Sequence, residues 1–426
     1  MVNVKFKKNI ASVILLVLFL QLGFLGINPV YAATQDEINV ALDKAAVYIN
    51  ANFADFTGGE NDWVSLGLRK AGKLEKIIYQ SQESESPSDY ARFILGGLAR
   101  GEDVAEYVYS LQLMQRDGGY FSSTDDEPTL NQTIWPVIAL DFAEKNGVSV
   151  DYNRTKAVEY ICSKQVQEGD YAGGFNESGW GIDIDSTAHA LIALAPYKGE
   201  QMVSDTVYKA VNFLKAKQND DAGFGFYIWE GTEYPSESPD SIAAVIEALI
   251  ALGIDPQDDE WKKGDKTMVD ALLKYQLSSG GFYGPWAPEQ VNNMTTRNAL
   301  LALADLEDDK SKYSHPLPEL SSFYATVKAP APKLDSDFEF ELALNNPEGD
   351  KKDVLTVIGL YELSSPGKML YYQALSREID ACEVENISGG MSLPAEGNYE
   401  VRIMIWDKWQ NPQSIISPFV FKVKTE

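Results

Sequence analysis

The chain has 426 residues, 45% of them hydrophobic, and a formal charge of −27 at neutral pH. Its length allows two or three domains with sizeable cores. The acidity disfavours nucleic acid and anionic membranes as partners. With two histidines and two cysteines in all, a His- or Cys-based zinc site is poorly supplied and no metal or cofactor is expected.

Residues 1–32 read as a secretory signal peptide. Lys5, Lys7 and Lys8 form a basic start, Ile10–Phe24 an apolar stretch, and Val30-Tyr31-Ala32 a small-residue cleavage pattern. The pattern predicts a secreted, extracellular or cell-wall-associated protein, with a cell-wall or protein partner in prospect. No later apolar run approaches the ~18 residues of a membrane span, so no transmembrane segment is expected after cleavage. Loss of the three lysines would take the charge from −27 to −30.

Two helix pairs come next, Asp36–Phe53 with Asn61–Lys73 and Leu74–Gln80 with Ser86–Gly101. Apolar residues recur at i, i+3, i+4 and i+7 in most of these segments, as a buried helical stripe requires. From residue 103 to 306 one pattern then repeats four times, about every 54 residues. An apolar helix ends in Gln, a Gly-rich turn carries an aromatic residue, and a polar cap opens a second apolar helix. The turns are Gln115–Tyr120, Gln167–Phe175, Gln218–Phe226 and Gln276–Phe282. The second helices read NQTIWPVIAL, DSTAHALIAL, DSIAAVIEAL and MTTRNALLAL, with Asn131, Asp185, Asp240 and Met294 in the cap position. Met294 has no capping oxygen, and Asn293 or Thr295 would have to substitute.

Repeats of this period cannot bury their apolar faces alone. Six hairpins give twelve helices, which close into a double ring over residues 33–308. The second helices are apolar nearly all round and belong inside, where Trp135, Ile192, Ile246 and Leu300 are candidates to fill the centre. The outer-to-inner loops are the long ones and share one rim, and long loops carry function more often than short ones. The inner-helix N-termini open on the same rim. Phe175, Phe224 and Phe282 recur at one position and read as structural plugs.

Residues 309–320 form a charged, Pro-containing linker. Over residues 321–426 the period drops to two, with six or seven short strands separated by turns such as NNPEGD and PAEGN, which suggests an immunoglobulin-like β-sandwich. Cys162 and Cys382 fall in different domains, so a disulfide between them would have to cross from one to the other.

The Gln…Gly-Gly-aromatic turns followed by D-S-T-A-x-A-L-x-A-L helices resemble the prenyltransferase and squalene-cyclase repeat superfamily over residues 36–306. The resemblance implies an α6/α6 toroid. Its members include terpenoid cyclases, protein prenyltransferase β subunits and cobalamin-binding proteins, so the fold does not choose a chemistry. The cyclases' D-x-D-D acid has its nearest match at Asp183-Ile184-Asp185-Ser186, where Ser replaces the last Asp. The prenyltransferase zinc set lacks its Cys after Asp185, and His189 lies inside an apolar helix as a core residue would. A polysaccharide-active enzyme would need paired carboxylates, and the rim offers Asp126, Glu127, Glu177, Glu237 and Glu289 among others.

The leading expectation is a non-catalytic binding protein for a small-molecule, apolar or glycan ligand, held at the long-loop rim by Trp180, Asp185, Tyr227, Trp229, Asp240 and Trp286. The alternative is a cyclase-like or polysaccharide-active enzyme with Asp185, and Asp183 beside it, as the acid. The competing reading of Asp185 is a helix cap.

Overall fold

The computed structural model describes residues 32–79, 86–124, 126–179, 181–229, 232–235, 237–320, 322–363 and 368–423. All of the signal-like segment except Ala32 therefore lies outside the described residues. Eleven α-helices are formed among them: α1 (Gln35–Ala51), α2 (Gly59–Lys70), α3 (Pro87–Arg100), α4 (Ala105–Gln112), α5 (Asn131–Lys145), α6 (Arg154–Ser163), α7 (Ile184–Leu194), α8 (Gln201–Lys217), α9 (Pro239–Leu252), α10 (Met268–Leu273) and α11 (Asn293–Leu306). None is long and apolar enough to cross a membrane.

Six of these helices close a ring. α2 packs on α3, α3 on α5, α5 on α7, α7 on α9, α9 on α11, and α11 returns to α2. In α9 the residues from Pro239 to Leu252 are buried on every face, whereas α2 and α3 are more polar and bury Asp62 against Arg92 and Arg100 (2.7 Å to the latter). Helices α1, α4, α6, α8 and α10 pack outside them. The toroid expected from the repeats is present, with one correction. The segment expected as a twelfth helix, Leu74–Gln80, holds strand β1 (Lys76–Tyr79) instead, and Gln80 lies outside the described residues. Ile77, Ile78 and Tyr79 suit a pleated, half-buried surface once a strand edge is offered to them. The long loop before α9 holds a short antiparallel hairpin of β2 (Phe226–Trp229) and β3 (Thr232–Pro235).

The repeated residues hold neighbouring units together. The Gln115 side chain donates to Gly119 O (3.3 Å) in its own turn and to Asn153 O (2.9 Å) at the next outer helix. Gln165 does the same with Gly173 O (3.1 Å) and Thr206 O (2.8 Å), and Gln218 with Ala222 O (3.1 Å) and Trp261 O (2.7 Å). The repeat glutamine of the second unit is thus Gln165, and not Gln167 as the turn motif implied; a longer turn hides the spacing. Gly119 and Gly280 have φ of +92° and +97°, and a Cβ on either would lie 2.2 Å from a carbonyl oxygen of the adjoining outer helix. The aromatic that follows is anchored by a threonine of the inner helix. The Thr133, Thr187 and Thr296 hydroxyls accept the N–H of Phe121, Phe175 and Phe282 at 3.2, 3.1 and 2.9 Å. Those three rings, with Phe224, are fully buried.

The expected linker partly plugs the ring. Ser311, Lys312 and Tyr313 are buried, and Lys312 donates to Glu247 of α9 (2.7 Å) and Asp305 of α11 (2.9 Å). The Tyr313 carbonyl accepts from Lys145 at the end of α5 (3.3 Å). This segment narrows the end of the ring opposite the rim where the long loops run.

Beyond it lie β4 (Tyr324–Lys328), β5 (Asp337–Asn346), β6 (Lys352–Glu362), β7 (Lys368–Ile379), β8 (Glu383–Ser392), β9 (Tyr399–Trp406) and β10 (Ser414–Val423). They form two sheets, ordered β1-β4-β5-β8 and β10-β9-β6-β7. The β8 segment was not among the strands read from the sequence, because its Ser, Asn and Gly content masks the alternation. Strand β1 of the toroid joins the first sheet in parallel, Lys76 facing Ala325 and Tyr79 facing Lys328. Beside that seam the buried Lys76 ammonium donates to Asn50 O and to Pro418 O (3.0 Å), and burial lowers it to about 7. Cys162 is buried and Cys382 exposed, both free, so no disulfide joins the domains.

Candidate functional site

The N-terminal halves of the inner helices, with Glu247 further along α9, carry the polar and bulky residues that face the ring's centre. These are Trp63 on α2, Trp135 on α5, Asp185 and His189 on α7, Asp240 and Glu247 on α9, and Arg297 and Asn298 on α11. They converge on a cavity of about 250 Å³ inside the mouth of the toroid, whose wall also includes Tyr313 of the plug. The ring centre is therefore hollow. Trp135 lines it, whereas Ile192, Ile246 and Leu300 are packed into the ring wall.

The helix caps stand two residues earlier than the sequence reading placed them. Asp183 caps α7 by accepting from Ser186 N (2.5 Å), Ser238 caps α9 by accepting from Ser241 N (3.5 Å), and Asn292 caps α11 by accepting from Thr295 N (3.0 Å). Helix α5 has Leu130 at this position and no side-chain cap, so Asn131 is not one either. Asp185, Asp240 and Met294 thus lie inside their helices. Asp185 and Asp240 are free to face the cavity, while Met294 is exposed. The cap reading belongs to Asp183.

Asp240 accepts from Asn298 Nδ2 (2.9 Å) and Thr295 Oγ1 (3.2 Å), which ties α9 to α11. Burial raises its carboxyl, and these two donors pull it partly back. Asp185 is also raised by burial, against a hydrogen bond from Ser241, and its Oδ1 is buried with no partner among the described residues. Asp183 is pushed up to about 7 by burial and by the charge of Asp185. The Nδ1 of His189 lies 2.7 Å from Glu177 Oε1, in the loop before α7. Burial opposes the imidazolium, but Glu177 and Asp185 outweigh it and hold His189 up to about 9. The second Glu177 oxygen is again buried and unpartnered among the described residues.

The aromatic wall is continuous. Trp63 meets Trp135 edge-on at 5.0 Å, and Trp135 meets the His189 ring at 4.9 Å. The Arg297 guanidinium lies 5.9 Å over Trp63, donates to Glu60 (3.1 Å) and, through Nε, to Asn298 Oδ1 (3.0 Å). Burial lowers it from its ordinary value. The pocket therefore offers indole faces, carboxyl acceptors and amide, guanidinium and imidazole donors within one small space. Among the described residues no group of three or more His, Cys, Asp or Glu is arranged to hold a metal ion.

Of the residues expected to bind ligand, Asp185 and Asp240 line this cavity. Trp286 stands 82% exposed and away from it. Tyr227 and Trp229 lie on β2 of the loop hairpin, and Trp180 lies outside the described residues. Of the rim acids, Glu127 bonds Tyr160 (2.9 Å) and Lys164, and Glu237 accepts from Tyr275 (2.8 Å). The residues missed as site residues were Trp63, Trp135, His189, Glu247, Arg297 and Asn298. Their signal was a large or polar residue interrupting the apolar run of an inner helix.

A closed ring of six inner helices with a polar cup at one end defines an α/α toroid. The chain belongs to the prenyltransferase alpha-alpha toroid domain family, whose model matches residues 97–233 and 232–392. The second match runs past α11 into the sandwich. No curated protein matches the chain. Similar solved structures include the unsaturated glucuronyl hydrolase of Bacillus sp. GL1, at 15% identity over 66% of this chain and 99% of that one, with a TM-score of 0.47. A protein from Actinoplanes is similar at 14% identity over 62% and 98% of the two chains, with a TM-score of 0.40. The C-terminal part of Escherichia coli alpha-2-macroglobulin is similar at 11% identity over 84% and 74%, with a TM-score of 0.34.

Proposed function

We propose that this is a secreted binding protein that takes one sugar unit, or the end of a glycan chain, into the cup of the toroid. The observation that carries the reading is the unpartnered, buried Asp185 oxygen in a pocket walled by Trp63 and Trp135. A buried acceptor without a donor is costly, and a ligand hydroxyl supplies that donor. Arg297, Asn298 and His189 supply donors for ring and hydroxyl oxygens, and the indoles cover the C–H faces of a sugar.

Other ligand classes fit less well. A prenyl chain would bury carboxyl and guanidinium groups without compensating hydrogen bonds. A diphosphate would meet Asp185, Asp240 and Glu247 with Arg297 as the main cation, itself paired with Glu60. A cavity of about 250 Å³ lies below the range of ~300–1,000 Å³ usual for drug-sized ligands, too small for a corrinoid.

A second reading is favoured by the raised Asp185 carboxyl. Burial shifts this carboxyl toward its protonated form, the direction that donating a proton to a glycosidic oxygen requires of a polysaccharide-active enzyme. In that case Asp185→Asn binds oligosaccharide and releases no product.

The test is a thermal-shift and calorimetric series with neutral sugars, amino sugars, uronic acids and prenyl diphosphates. Ligand at 100 times its Kd adds about 2.7 kcal/mol to stability. Stabilisation by one sugar class, lost in Trp135→Ala, supports the reading. Stabilisation by prenyl diphosphates and by no sugar sinks it.

A further inference from the structure

The sheet β10-β9-β6-β7 has an apolar layer on its outward side. Along β6 the side chains alternate, and Val354, Ile358 and Leu360 enter the main core. Leu355 and Val357 point the other way and form a separate buried cluster with Met404 of β9. Tyr361 and Trp406 pack over that cluster. An outward sheet face is ordinarily solvated and polar.

Aromatic rings top the layer and leave much of their area open. Tyr372 of β7 and Trp409, in the loop after β9, stack at 5.8 Å with 28° between their planes, and are 48% and 52% exposed. Trp406 lies 6.3 Å from Trp409. Next to them the Arg402 guanidinium sits 4.2 Å over the Tyr361 ring and donates to Glu400 (2.9 and 2.6 Å), so the pair carries no net charge. Gly359 lies between Tyr372 and Arg402 in the ladder, and a Cβ there would come within 2.8 Å of the Tyr361 ring. The missing side chain keeps this face flat.

We infer that this face is a second binding site, a platform for a flat, neutral, β-linked polysaccharide. Equatorial hydroxyls leave such a chain with broad C–H faces that lie on aromatic rings, while the hydroxyls at its edges reach Arg402 and Glu400. The rings are already packed against one another, so little side-chain freedom is lost on binding. The occupant is not anionic, because a chain of net charge −27 repels an anionic polymer and a second copy of itself, and the Arg402–Glu400 pair beside the rings presents no net charge to favour a charged one. This site lies in the sandwich, separate from the cup, and does not rest on the reading of Asp185.

The test is co-sedimentation of the mature protein with two insoluble probes, chitin and microcrystalline cellulose. Wild type is expected to be depleted from solution by at least one of them. The double variant Tyr372→Ala/Trp409→Ala should lose roughly tenfold in retention, as aromatic anchors do, with its melting temperature held. Asp185→Asn should be retained like wild type, which separates this site from the cup. Equal retention of the double variant, or no depletion of wild type by either polymer, overturns the proposal. So does a concentration-dependent dimer that Trp409→Ala disperses, which would make the face a protein contact.

Discussion

The Gln276 side chain donates to the Ala41 carbonyl at 2.7 Å, so the last repeat grips α1, the first of the described helices. Its second bond, to Gly280 O at 3.1 Å, shapes its own turn. The residue pair is 235 positions apart in sequence and adds an outer stitch to the ring that α11 closes on α2. Gln276→Leu leaves two carbonyls without this donor and should lower unfolding stability by about 1–3 kcal/mol. Urea unfolding checks it; a loss below a few tenths would mean that helix packing alone closes the ring.

Asp183 and Asp185 stand two residues apart and should respond in opposite ways to substitution. Asp183→Ala removes the α7 cap and should cost about 0.5–2 kcal/mol. Asp185→Asn removes a buried acid whose Oδ1 has no partner among the described residues, and should leave stability equal or higher. Thermal unfolding of the two variants side by side decides it. The reverse ranking would return the cap role to Asp185.

The Glu177–His189 pair gives a pH signature. The histidine rises from 6.5 to about 9 in the folded protein, because Glu177 and Asp185 overcome burial. A raised value means that folding takes up a proton, so the contribution is whole below 6.5 and disappears as pH rises through about 9. Glu177→Gln should flatten that part of the stability profile. If the profiles of wild type and the Glu177→Gln variant differ by a constant across the window, the pair is not ionised.

Lys312 is fully buried between Asp305 and Glu247. The two acids hold it above its ordinary value against burial, and burial raises the Asp305 carboxyl while Lys312 pulls it back. Lys312→Met strands two buried carboxyls and should cost about 3–5 kcal/mol. Replacing both acids by leucine in the same chain should recover most of the loss. Failure to recover would show that the lysine stem, and not its charge, seats the plug.

The repeat was legible because its residues do the same work from unit to unit: Gln joins units, Phe fills the wall, and Gly admits a carbonyl at Gly119, Gly173 and Gly280, with Ala222 (φ +69°) in that place in the third unit. The caps were misplaced because the motif aligns on its closing Ala-Leu, and Asp185 and Asp240 share a slot for a different reason: they face a common cavity. The Leu74–Gln80 segment is short, and Ile77 and Ile78 fit one turn of helix as well as a strand. Only the edge of β4 decides between them, and that edge lies far away in the sequence. The cup was hidden for the same cause, since Trp63, His189 and Arg297 meet only when the ring closes.

The seam between β1 and β4 sets an order of events during synthesis. Strand β1 is made early, yet its partner Ala325–Lys328 emerges about 250 residues later, and the carbonyl of Pro418 that receives Lys76 later still. Until then the nascent ring carries an open strand edge and a lysine with only the Asn50 carbonyl of its two acceptors. A ribosome that stops after α11 would release a toroid with a sticky side, prone to pair with its neighbours. The sandwich thus covers a strand edge that the ring cannot cover for itself.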